Sequence, residues 1–179
     1  HYFIRNIEGL WASVDPVETN DGRTVGELYS AARIKSKDGN HRVLELLYCD
    51  NCGTTFFGGS RGESRSTESG LPEMLPVNPN IEGIPEKSAH KLVEKRTYQE
   101  FAVFWPKGEQ EFIPHDGPPS GYWRQPTIGG LTDTDFRSEW TDASLNKFSG
   151  GLDYTHQLAE SDPEKWIKGS LFVIMRETN

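Results

Sequence analysis

The chain has 179 residues, of which 34% are hydrophobic, and 27 acidic against 19 basic side chains give a formal net charge of −8. That length supports one domain with a real core, but the low apolar share and a mean hydropathy of −0.67 predict long loops around it. The negative charge excludes a general affinity for phosphate backbones outside a local basic patch, and no apolar run is long enough to span a bilayer.

The chain opens on His1 without the charged stretch and apolar run of a signal peptide, so it reads as a segment excised from a larger protein. Tyr2 to Ser13 predicts a strand, a turn at Glu8-Gly9 and a second short strand, and Pro16 and Asp21-Gly22 punctuate a polar stretch after it. Glu27 to Ile34 is a candidate strand, ended by the reverse-turn residues Lys35 to Asn40. Arg42 to Tyr48 alternates most clearly and is followed by Cys49-Asp50-Asn51-Cys52-Gly53, by Thr54 to Phe57, and by Gly58-Gly59, which read as a turn.

Residues 60–87 read as one flexible or extended segment. Ser60 to Gly70 is rich in Ser, Gly, Arg and Glu, and the prolines of Leu71 to Pro85 suit an extended tether along the surface. Ser88 to Arg96 has room for a short helix, and Glu100 to Trp105 predicts an apolar strand stopped at Pro106-Lys107-Gly108. Ile113 to Ser120 reads as a loop, Gly121 to Ile128 and Asp135 to Leu145 carry mixed signals, and Ser149-Gly150-Gly151 reads as a turn. Trp166 to Met175 predicts a closing strand.

The fold class expected is mainly β: antiparallel strands in one domain over 1–179, with a zinc-ribbon-like Cys-X-X-Cys hairpin, long loops and little helix. Five Trp, nine Phe and six Tyr are too many for a chain disordered throughout.

Cys49 and Cys52 are the only cysteines, which points to a reducing, cytoplasmic compartment and to metal or redox chemistry. Thiolates at this spacing before a glycine turn both sulfurs toward one tetrahedral ion, but zinc takes four ligands and the pair is half a site. His41, His90, His115 and His156 have no partner at ligand spacing, and the bland alternative is a pair of reduced thiols without metal. A thioredoxin-like role fits less well, because strand rather than helix follows the pair.

No glycine run ends in the Lys-Ser/Thr of a P-loop, and no Gly-X-Ser-X-Gly elbow occurs, so no nucleotide hydrolysis or hydrolase triad is expected of this chain. Asp133 with Asp135, and Asp153 with Glu160, read as solvated surface. Trp105, Tyr122, Trp123 and Trp140 are candidates to stack bases or to line a partner groove, against the plainer reading that they fill a core.

Three blocks carry a resemblance. Phe3 to Ala12, Arg42 to Cys49 with Cys52-Gly53 and Phe57 to Gly59, and Trp166 with Lys168 to Val173 look like the region following the motor lobes of large bacterial DEAD/DEAH-type superfamily 2 helicases, among them DISARM-type and Druantia-type phage-defence helicases. The stretch from Ser60 to about Gly150 matches nothing. Where those helicases carry early cysteine pairs this chain has Ser13, Lys35 and Asp38, as if one metal site had been lost, and Cys49 and Cys52 would belong to a second site completed by residues beyond this chain. The resemblance implies a non-catalytic accessory domain of an ATP-dependent DNA helicase or translocase, with ATP and DNA handled by the parent and with its motor domains or a partner subunit as neighbours, and no membrane. The alternative is a free-standing protein-interaction or single-stranded nucleic-acid-binding module with a partial zinc-ribbon.

Overall fold

A computed structural model describes residues 4–15, 25–49, 53–62, 70–76, 101–106, 127–128, 131–132 and 136–176. Its strands are β1 (Ile4–Ser13), β2 (Leu28–Tyr29), β3 (Val43–Cys49), β4 (Thr55–Gly62), β5 (Glu73–Leu75), β6 (Phe101–Pro106), β7 (Thr127–Ile128), β8 (Leu131–Thr132), β9 (Phe136–Asn146), β10 (Leu152–Asp153) and β11 (Trp166–Arg176). One short helix, α1 (Gln157–Ser161), and a 3-10 turn at Pro163–Lys165 are the helical elements among the described residues. The fold is mainly β with little helix, as expected, and none of these helices is long and apolar enough to cross a membrane.

Nine strands form one antiparallel sheet in the order β10-β9-β11-β6-β4-β3-β1-β2, with β5 paired to β4; β7 and β8 pair apart. The sheet also closes on itself. Glu73 of β5 bridges to Gly151 beside β10, Met74 N–H donates to the Gly150 carbonyl (2.8 Å) and Leu152 N–H to that of Pro72 (2.8 Å). The circuit β4-β6-β11-β9-β10-β5 therefore returns to β4.

The side chains that alternate onto one face of this circuit form the core: Phe57, Met74, Ala102, Phe104, Ala143, Leu145, Leu152, Leu171 and Val173, joined by Ala12, Leu44 and Leu46 from β1 and β3. Alternation is the reason these segments are strands. A period of two delivers every second side chain to the same face, and Leu44, Leu46, Phe57 and Phe104 lie on it with Leu46 opposite Phe57 and Phe57 opposite Phe104.

Several expectations need correction. Residues 4–13 are one strand, with a register irregularity between Asn6 and Trp11 where a turn was expected at Glu8-Gly9; a bulge absorbs the glycine without ending the pairing. Only Leu28–Tyr29 of the 27–34 segment pairs as strand. Gly58 and Gly59 lie inside β4 rather than in a turn, because neighbours approach closely there: a Cβ on Gly59 would stand 2.7 Å from the Leu75 carbonyl oxygen, and one on Gly58 2.9 Å from Leu47 Cδ1.

The 60–87 segment is not wholly tether. Ser60–Gly62 extend β4, and Glu73–Leu75 form β5 with Met74 0% exposed in the core. The mixed 135–145 stretch is the long strand β9, paired with β11 along its length. The expected helix at 88–96 and the loop at 113–120 lie outside the described residues.

Candidate functional site

The opposite face of the same sheet carries an aromatic surface. Residues opposite one another in an antiparallel pair project to the same side. Leu47 lies opposite Phe56, Trp105 opposite Ser170, and Ser170 opposite Asp142. The Phe57–Phe104 pairing sets Phe56 beside Trp105. One row thus runs Leu47, Phe56, Trp105, Ser170, Asp142 across β3, β4, β6, β11 and β9. In the next row Val103 faces Phe172 and Phe172 faces Trp140.

The rings interlock across these rows. Phe56 and Trp105 have centroids 5.8 Å apart, Phe56 and Trp140 6.4 Å, and Trp140 and Phe172 5.4 Å. Trp105 and Trp140 meet edge to face at 6.2 Å and 70°. They stand on strands separated by β11, so their backbones are roughly 10 Å apart at the usual strand spacing. The indoles therefore lean toward each other above β11, where the small Ser170 leaves them space. Edge-to-face contacts of this kind contribute about 0.5–1.5 kcal/mol each beyond burial. Leu47, Cys49, Phe56 and Val103 are buried beneath the cluster, whereas Trp105, Trp140 and Phe172 are half-buried and reach its outer surface. Asp142 is exposed at the end of the first row, Glu45 faces Gly58 in the second, and Lys168 is exposed two residues before Ser170.

Two of the predicted contact residues, Trp105 and Trp140, are thus brought together, 35 residues apart in sequence and two strands apart in the sheet. Tyr122 and Trp123 lie outside the described residues. The sequence reading did not single out Ser170, Phe172 and Asp142. The period of two in β11 puts Ser170 and Phe172 on one face, but only the pairing with β6 and β9 sets them between the tryptophans.

At the β3–β4 reversal Cys49 N–H donates to the Thr54 carbonyl (2.9 Å), Gly53 N–H donates to that of Cys49 (2.8 Å), and Gly53 takes the left-handed φ of 73° that glycine tolerates without strain. β3 and β4 pair antiparallel on either side of this reversal. Cys49 is 1% exposed against Leu47, Phe56 and Val103, and Cys52 lies outside the described residues. Among the described residues no three His, Cys, Asp or Glu side chains converge as a metal would need. His41 sits at the opposite end of β3, with Nε2 3.4 Å from Asp15, Nδ1 3.8 Å from Asp38, and its ring stacked 5.0 Å from Phe148.

A Ser-His-Asp grouping also occurs. His156 Nδ1 lies 2.7 Å from Ser144 Oγ, and Asp153 is the cross-strand partner of Ser144. It is not a nucleophilic triad. Ser144 is 0% exposed, and both Asp153 oxygens are engaged locally, by Thr155 N–H (2.9 Å) and hydroxyl (2.7 Å) and by Leu158 N–H (2.9 Å). Asp153 is 4% exposed, not solvated as expected from sequence. Burial opposes its charge, but the hydrogen bonds from Thr155 and Leu158 outweigh that and hold the carboxyl below the usual carboxylate range. The grouping caps α1 and ties it to β9, with His156 in a left-handed conformation at φ 60°.

The fold and the site define an antiparallel β protein with an aromatic outer face. Comparison with protein families, curated proteins and solved structures returns no match.

Proposed function

We propose that this chain is a non-catalytic accessory domain that docks through Trp105, Trp140 and Phe172 onto a protein surface. The setting is the one its sequence resembles: the motor lobes of an ATP-dependent DNA helicase or translocase of bacterial anti-phage defence, or a subunit bound to them, in the cytoplasm. The carrying observation is the partly buried Trp105–Trp140 corner on the face opposite the core. Tryptophans held by neighbouring rings offer large rigid area at little entropic cost, which is the make-up of interface anchors. The formal charge of −8 favours a protein contact over a phosphate backbone. ATP binding and hydrolysis belong to the motor, since this chain carries no motif for either.

The Cys49–Gly53 reversal supports a zinc-ribbon-like hairpin in which Cys49 and Cys52 supply half of a structural zinc site. The described residues offer one thiol and no converging companions, so nothing in the docking reading depends on zinc.

The test is association of the purified chain with motor lobes encoded next to it. The wild-type chain binds them, and Trp105→Ala with Trp140→Ala weakens binding about tenfold or more. Unchanged affinity of the double variant removes the aromatic face from the interface, and a parent coding sequence without a P-loop upstream of this segment removes the motor setting. The same indoles favour one other reading, stacking of single-stranded bases. A labelled oligothymidylate that binds with salt-sensitive affinity, and loses it in the double variant, establishes that reading in place of docking.

A further inference from the structure

Three segments converge on the ring of His41 at one end of the sheet. Nε2 stands 3.4 Å from Asp15 Oδ2, just past β1, and Nδ1 stands 3.8 Å from Asp38 Oδ2, in the turn before β3. The ring stacks on Phe148 of the β9–β10 turn, with centroids 5.0 Å apart and planes at 28°. Each ring nitrogen therefore faces its own carboxylate, and the two carboxylates belong to different segments.

A neutral imidazole has one N–H donor and one lone pair, so it serves one of these carboxylates and turns its lone pair toward the other. The imidazolium carries an N–H at both nitrogens and attracts both carboxylates at once. Each carboxylate is held in place by other groups. Asp38 accepts from the Ser36 hydroxyl, from Asn40 N–H (3.1 Å) and from Asn40 Nδ2 (3.0 Å), and these bonds, the first above all, lower its carboxyl to about 2. Asp15 gives its other oxygen to Lys147 Nζ at 3.7 Å. The other cations of this end are turned elsewhere: Arg42 pairs with Glu73, Lys37 stands 3.9 Å from Glu27, and Lys35 is exposed opposite Arg42.

We propose that His41 is a pH-sensitive clasp: with both ring nitrogens protonated it joins the 36–40 turn to Asp15 behind β1, and on losing one proton it releases one of the two. Backbone bonds keep the ring in position in either state. His41 N–H donates to Ser36 Oγ (2.9 Å), its carbonyl accepts from Ser36 N–H (2.8 Å), and the next residue, Arg42, donates its N–H to the Lys147 carbonyl (2.7 Å). The clasp is closed on the acid side of the interval in which histidines exchange their proton, about pH 5 to 8, and loosens as pH rises through it.

Hydrogen exchange on the full chain, followed by NMR, tests this. The probes are the Ser36 and Gly39 N–H groups, which donate to the His41 and Ser36 carbonyls (2.8 and 2.9 Å). Their protection factors, corrected for the intrinsic pH dependence of exchange, are expected to fall about threefold or more from about pH 5.5 to about pH 8. The fall should follow the ring-nitrogen shifts of His41, which are assigned by their loss in His41→Gln. The response should vanish in His41→Gln and shrink in Asp15→Asn, while the amides of β11 keep their protection and show that each variant is folded. Constant protection of the turn in the wild-type chain overturns the clasp, as does a fall that does not follow the His41 ring. An undiminished response in His41→Gln or in Asp15→Asn overturns it too.

Discussion

Arg42 and Glu73 form an ion pair at the seam where β5 meets the β9–β10 turn, and the arginine is 4% exposed. Arg42 Nε also donates to the Ser149 carbonyl (3.0 Å), its N–H donates to Lys147 (2.7 Å), and its own carbonyl accepts from Val14 N–H (2.7 Å). One residue before β3 therefore ties β1, β5 and the β9–β10 turn together. Burial lowers the Arg42 pKa to about 10, which leaves it charged at neutral pH.

Removing Glu73 leaves that buried cation without its carboxylate. Glu73→Leu is expected to lower stability by about 3 kcal/mol in urea unfolding, whereas Arg42→Met combined with Glu73→Leu costs less than the single change, because the desolvated charge goes too. A Glu73→Leu protein within about 0.5 kcal/mol of wild type means the pair does not hold the seam.

Gly169 sits in β11 where β6 and β9 flank it, opposite Pro106 and Ala143. A Cβ there would stand 2.3 Å from the Trp105 carbonyl oxygen and 2.5 Å from Phe104 Cζ, and backbone in a paired strand yields little. Gly169→Ala is expected to destabilise by at least about 2 kcal/mol, read as a lowered urea midpoint, and to shift the Trp105 resonance. Gly39→Ala is the comparison: no atom lies within 4 Å of its Cβ, so the effect comes from its positive φ of 76° alone. Equal and small losses in both variants contradict the close approach at β11.

Asp153 gives a pH dependence with a definite sign. Its folded pKa is depressed, so its ionised form stabilises the fold above the unfolded carboxyl range near pH ~4, and that contribution is lost as pH falls through the lower folded value. Asp153→Asn is therefore expected to be less stable than wild type at pH 7 by about 1 kcal/mol, the size of a lost cap interaction. The gap should close progressively on acidification below the carboxylate range. Thermal melts of both proteins across that range measure it, and a gap independent of pH shows that the charge plays no part.

Cys49 is 1% exposed under Phe56 and Val103, and its reactivity should follow that burial. In a Cys52→Ser protein, Cys49 is expected to alkylate orders of magnitude more slowly than a small thiol and to reach the small-thiol rate in denaturing urea. Rapid native labelling would place the thiol at the surface. Metal content of the wild-type protein beside Cys49→Ser tests the zinc proposal directly, and equal zinc in the two excludes Cys49 as a ligand.

The sequence by itself determined the class of the fold and its best strands. β3, β6 and β11 carry enough alternating apolar residues that local pattern names them, and Gly53 in the Cys-X-X-Cys-Gly stretch marks the hairpin turn where the chain reverses. β9 was illegible because its outer face mixes Asp142 and Ser144 with Trp140, and only the register against β11 makes it a strand. β5 is three residues in a proline-rich stretch, and it becomes core because Met74 fills the space where the sheet closes. Trp105 and Trp140 were nameable as candidates one by one, yet their corner was not. It exists because β11, last in the sequence, inserts between β6 and β9 and brings its small Ser170 under both indoles. Alternation is a property of neighbouring residues and survives in the sequence; strand order is set by burying one common core, and only the folded chain records it.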